Sequence, residues 1–134
     1  MLFRSSWDGP LFNLALSFYH RVMYQEAIDT IEKAIKKGGQ TGQNLTLKAM
    51  CLEKIDTKND HKPMYQQAIK AFGLPASLSD WELGWYMTAV RRMGDTKAIE
   101  QAEKEKTKRK KKDELDVDLE VPLPGVKGGL VVRR

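Results

Sequence analysis

LFNLALSFYHRVMYQEAIDTIEKAIKKGG, residues 11–39, decides the fold. Apolar and small residues fall at Leu11, Leu14, Ala15, Phe18, Tyr24, Ala27, Ile31 and Ala34, and the run breaks at Gly38-Gly39. Large residues followed by small ones recur on adjacent helical faces. The spacing predicts two short antiparallel helices, the second nested closely on the first through its alanines. Such a hairpin leaves apolar surface that a neighbouring hairpin must bury.

The rest of the chain extends this reading in both directions. Asp8-Gly9-Pro10 reads as a helix start, with Asp8 as N-cap and proline in the first turn. The first helix is expected to run to about Val22 and the second from Tyr24 to Lys37. A third, over 42–56, carries Leu45, Ala49 and Leu52, which repeat Leu11, Ala15 and Phe18 at an offset of 34 residues. Ala68 follows Ala49 by 19 residues where Ala27 follows Ala15 by 12, so seven residues are inserted, and TKNDHKP (57–63) is the polar stretch expected to hold them. Pro63 then opens a fourth helix carrying Tyr65, Ala68, Ile69 and Phe72, stopped by Gly73. Ser79-Asp80-Trp81-Glu82 has capping-box spacing and opens a fifth. Gly94-Asp95 is a turn whose aspartate can cap a sixth helix. Beyond Asp113, Leu115, Val117, Leu119 and Val121 alternate with acids, a period of two, and VPLPGVKGGLVVRR is rich in proline and glycine. Residues 113–134 are therefore expected to form an extended tail, and residues 1–112 the helical domain.

The first unit resembles the tetratricopeptide repeat. Leu11, Leu14-Ala15, Phe18, Tyr24, Ala27, Ile31 and Ala34 stand where that family's 34-residue unit places its large, small and aromatic residues. Val22 departs from the family's turn glycine and Gly39 from its closing proline. The third hairpin carries the pattern through Leu83-Gly84 and Ala98. The resemblance implies an all-α fold of three stacked antiparallel helical hairpins, whose first, third and fifth helices line a concave groove for a partner segment. The family's known clamp for a C-terminal carboxylate uses lysines, asparagines and an arginine. Its matching positions here, Phe12, Leu16 and Leu47, are apolar, so an apolar or extended ligand fits better.

Composition narrows the function classes. The net charge of +5 is unevenly spread. Residues 104–112 (KEKTKRKKK) hold seven basic residues and one acid, +6, and residues 113–120 (DELDVDLE) hold five acids, −5. Any attraction to polyanions must come from this part of the chain. The single cysteine, Cys51, sits in an apolar run and reads as a buried, inert thiol. No stretch approaches the roughly 20 apolar residues of a membrane span, and the start lacks a secretory signal. A soluble, cytoplasmic chain is expected.

Nothing points to catalysis. His20 and His61 have no partner at ligand spacing, and Asn59-Asp60-His61 reads as a solvated loop. No glycine loop opens a helix to cradle phosphate. No cofactor and no metal are expected.

Surfaces carry the functional expectation. On the first helix, Leu11, Leu14, Ala15, Phe18 and Val22 are expected to face the second helix. Phe12, Leu16, Tyr19 and Met23 form another stripe, read either as a contact for a partner, a homodimer included, or as a face covered by the third helix or the tail. On the fifth helix Leu83, Tyr86, Met87, Val90 and Met93 share one face, and Trp81, Trp85, Thr88 and Arg92 the other. That second face reads as core for one of the tryptophans, with Arg92 at the rim, or as an aromatic-arginine hot spot. The expected partner-binding residues are Phe12, Leu16, Tyr19, Met23, Met50, Lys54, Trp85 and Arg92. The expected function is a non-catalytic adaptor, scaffold or assembly subunit binding a protein segment. The alternative is a nucleic-acid-associated subunit held by Lys108, Arg109, Lys110, Lys111 and Lys112.

Overall fold

A computed structural model describes the backbone of residues 9–120 and the side chains of residues 9–113. The proposed Asp8 cap and the segment 121–134 lie outside the described residues. Among these, the fold is all-helical: α1 Gly9–His20, α2 Tyr24–Gly38, α3 Gly42–Ile55, α4 Lys62–Phe72, α5 Asp80–Met93 and α6 Thr96–Glu120, with a 3-10 turn at Pro75–Ser77 before α5. Each helix packs chiefly on its neighbours in sequence, and α3 also lies against α1 and α5.

Local chemistry sets most boundaries. Thr41 accepts the Asn44 amide at 3.2 Å and starts α3. Ser79 and Glu82 form a reciprocal capping box at α5, as their spacing predicts. Asp95 accepts the Ala98 amide at 3.2 Å and starts α6. Pro63 sits in the first turn of α4, where its missing N–H is harmless. The α3–α4 connection, residues 56–61, bonds to itself: Asn59 donates to the Asp56 carboxylate and the Lys62 amide to Asp60.

The turns after α1 and α5 share one geometry. The Met23 amide bonds Phe18 O and the Val22 amide bonds Tyr19 O. The Asp95 amide bonds Val90 O and the Gly94 amide bonds Arg91 O. Both are Schellman endings, which place one residue in the left-handed region. That residue is Gly94 (φ 81°) after α5 but Val22 (φ 64°) after α1. A β-branched side chain is strained there.

The core forms three adjoining clusters. Ala15, Ala27, Ile31 and Ala34 are fully buried with Phe12, Leu47 and Cys51 between α1, α2 and α3. The alanine ladder lets α2 lie directly on α1. Leu45, Ala49, Met50, Tyr65, Ala68 and Ala89 fill the middle, and Phe72, Leu83, Tyr86, Met87, Val90, Ala98 and Ala102 the far end. Gly42 is required at its position, because a Cβ there would lie 2.5 Å from the Phe72 ring.

Two expectations need correction. Leu14 and Val22 do not face α2; they are 47% and 67% exposed. α1 is wedged between α2 on one side and α3 and α5 on the other. Its buried face therefore centres on Phe12, Ala15, Leu16 and Tyr19, and Leu14 falls outside that arc. The expected tail boundary also moves, because α6 continues past Asp113 to Glu120. Residues 104–120 contain no glycine or proline before Pro122, and their lysines and glutamates favour a helix over the period-two reading.

Candidate interaction surface

The expected groove between α1, α3 and α5 is filled by the protein's own side chains. Phe12 on α1 is 2% exposed. Its ring meets Trp85 edge to face at 5.2 Å between centroids and Trp81 at 5.4 Å. Trp81 and Trp85 are themselves 6.4 Å apart, again edge to face. Trp85 packs against all three core clusters. The second stripe of α1 is thus largely covered, by the third helix, as one of the two readings expected, and by the aromatic rings of α5.

A polar knot holds the other end of the same seam. The Tyr65 hydroxyl on α4 donates to Glu53 on α3 at 2.8 Å. Arg92 on α5 pairs with that carboxylate and reaches the Tyr65 hydroxyl at 3.5 Å. Burial, then the hydrogen bond to Glu53, pushes the Tyr65 hydroxyl well above the ordinary tyrosine value. Burial works against the charge on Arg92, but Tyr65, Glu53 and a hydrogen bond to Tyr19 outweigh it and hold the guanidinium more firmly protonated. Arg92 therefore ties helices together and does not lie over an indole.

The expected contact residues consequently divide. Phe12 and Met50 are buried and belong to the core. Leu16, Tyr19, Met23 and Trp85 are half-buried, and Lys54 is exposed. Sequence reading passed over Glu53 and Tyr65, because nothing local announces partners 39 and 27 residues from their arginine. It also missed that Trp81 remains 52% exposed while its ring is fixed by two neighbours.

Arg109 must be removed from the polyanion candidates. Its guanidinium pairs with Glu105 at 2.7 Å and Asp80 at 2.9 Å, and it donates to Leu78 O at 2.7 Å and Pro75 O at 3.2 Å. It clamps α6 to the 3-10 turn and to the start of α5. Lys104, Lys106, Lys108, Lys110, Lys111 and Lys112 remain exposed around the helix. Between α5 and α6, Asp80, Leu83, Gly84, Lys106, Arg109, Lys110 and Asp113 line an open cleft of about 290 Å³. A Cβ on Gly84 would meet nothing within 4 Å, so the Leu83-Gly84 pair does not serve close packing here.

Cys51 is fully buried, and desolvation raises its thiol to about 11. Among the described residues, no group of three His, Cys, Asp or Glu side chains could hold a metal ion. No helix among them is long and apolar enough to cross a membrane.

Comparison with known proteins adds no relative: no family model, no curated protein and no solved structure matches the chain.

Proposed function

We propose that the protein is a non-catalytic interaction module, an adaptor or assembly subunit that holds a segment of another protein at the lip where α1 and α5 meet. The reading rests on Trp81. Its indole is 52% exposed, yet edge-on contacts with Phe12 and Trp85 fix its orientation. A preorganised, half-exposed tryptophan is the side chain that interface energetics favour most, because little rotamer entropy remains to be lost. The order of helix contacts, with α3 between α1 and α5, supports a tetratricopeptide-like stack as the scaffold. The filled seam moves the contact from the groove floor to its rim.

The test compares the full chain with Trp81→Ala. Partners captured from a cell extract and identified by mass spectrometry should be lost with the variant, whose helical circular dichroism should be unchanged. Retention of the same partners by Trp81→Ala would refute the rim contact.

A second reading has one observation in its favour: six exposed lysines between residues 104 and 112. They supply phosphate contacts for RNA or DNA. Such binding would fall steeply with salt, whereas contact through Trp81 would change little.

A further inference from the structure

The helix α6 carries two opposite charge blocks in direct succession. Residues 104–112 sum to +6 and residues 113–120 to −5, and the helix runs unbroken through both. The second block follows Arg109, which ties α6 to α5 and the 3-10 turn. One face of α6, along Lys104, Thr107, Lys108 and Lys111, opens onto a hollow of about 520 Å³.

We propose that α6 pairs with α6 of a second copy of this chain, antiparallel, about a twofold axis between Lys112 and Asp113. The argument is charge complementarity. A parallel pair would set +6 against +6. An antiparallel pair sets each basic block on the partner's acidic block, and the twofold makes the contact twice.

The register follows from the axis. Position 113 falls opposite 112, 114 opposite 111, and 116 opposite 109. Positions 115 and 119, both leucine and one helical turn apart, fall on the same side of α6 as Lys104, Lys108 and Lys111, about half a turn from Lys106 and Lys110. Lys104, Lys108 and Lys111 line, with Glu100, Glu103 and Thr107, an open hollow of about 520 Å³. A twofold lays this stripe of one copy on the same stripe of the other, so the apolar positions of each copy meet the open hollow beside the partner's lysines. The lysine stems can cover the remaining apolar surface while their ammonium groups reach the flanking acids. This pairing uses neither Trp81 nor the seam between α1 and α5, so it stands apart from the partner-binding reading above.

The test is the solution mass of the full chain, by light scattering or sedimentation equilibrium, at roughly 50 mM and roughly 1 M salt, bracketing weak and strong screening. At low salt the mass should be twice the 15.3 kDa of one chain, falling towards one chain at high salt. Lys110→Glu/Lys111→Glu/Lys112→Glu should be monomeric, and so should Asp113→Lys/Glu114→Lys/Asp116→Lys. An equimolar mixture of the two should restore the double mass, because the reversed charges complement each other in trans. Helical circular dichroism of each variant reports that it is folded. A monomeric wild-type chain at low salt overturns the proposal, whether the lysines then pair within their own helix or bind a nucleic acid. A dimer indifferent to salt and to both reversals overturns it too, and assigns the contact to another surface.

Discussion

Phe12 and Trp85 meet edge to face with ring centroids 5.2 Å apart, which brings the first and fifth helices into contact. Phe12 is therefore a structural residue. Phe12→Ala should cost about 3 to 5 kcal/mol, as for other buried aromatic truncations. Urea unfolding would give the loss, and a red shift in tryptophan emission should show Trp85 becoming wetter. A variant as stable as the wild type would mean the rings do not meet in solution.

Val22 occupies a left-handed turn that Gly94 occupies elsewhere in the same molecule. Its side chain is 67% exposed, so removing it sacrifices little burial. Val22→Gly should relieve about 1 kcal/mol or more of backbone strain, net of the added freedom of the unfolded chain. The melting temperature should rise by about 4 to 8 °C. Gly94→Val, placing the same strain after α5, should lower it.

Two glycines should respond in opposite ways. Gly42→Ala drives a methyl into the Phe72 ring and should cost about 1 to 3 kcal/mol. Gly84→Ala faces open space within a helix and should gain up to about 1 kcal/mol. Paired thermal melts of the two variants decide both points.

Alkaline stability follows from two buried acids. The Cys51 thiol is raised from 9.0 to about 11, so the folded state holds its proton more tightly than the unfolded state does. That contribution is complete below pH 9 and is lost as pH rises towards 11, by about 3 kcal/mol. Tyr65, raised from 10.0, adds a further loss that begins near pH 10. Cys51→Ala should remove the first part of the decline while the second persists. Urea midpoints between pH 8 and 11 would show it.

Arg109 bonds a carboxylate on each side and three backbone carbonyls of the turn before α5. Lysine has the charge without the planar fork. Arg109→Lys should lower the melting temperature by about 5 °C and speed amide exchange in residues 75–80. An unchanged melt would show that charge alone holds α6 in place.

The parts of the fold legible in the sequence were those set by local chemistry. The alanine ladder of α1 and α2, the capping box at Ser79, the cap at Asp95 and the first-turn proline at Pro63 each act within one or two turns, and each stands where its spacing predicts. Packing between distant helices was not legible. Leu14 and Phe12 are both apolar on a helix, and only the arrival of α5 decides that Phe12 is buried and Leu14 exposed. The same holds for Glu53, Tyr65 and Arg92, which lie on three helices. At the far end a period of two in Leu115, Val117 and Leu119 suggested extension, whereas a long run without glycine or proline sustains the helix.

Trp85 touches every one of the three core clusters, so no hairpin completes its packing alone. A linear array of repeats can fray from one end, each unit depending only on its neighbours. Here the closing contact joins residues far apart in the chain, and loop closure must precede it. Folding should accordingly be all-or-none, with one indole reporting the same midpoint as the helical signal.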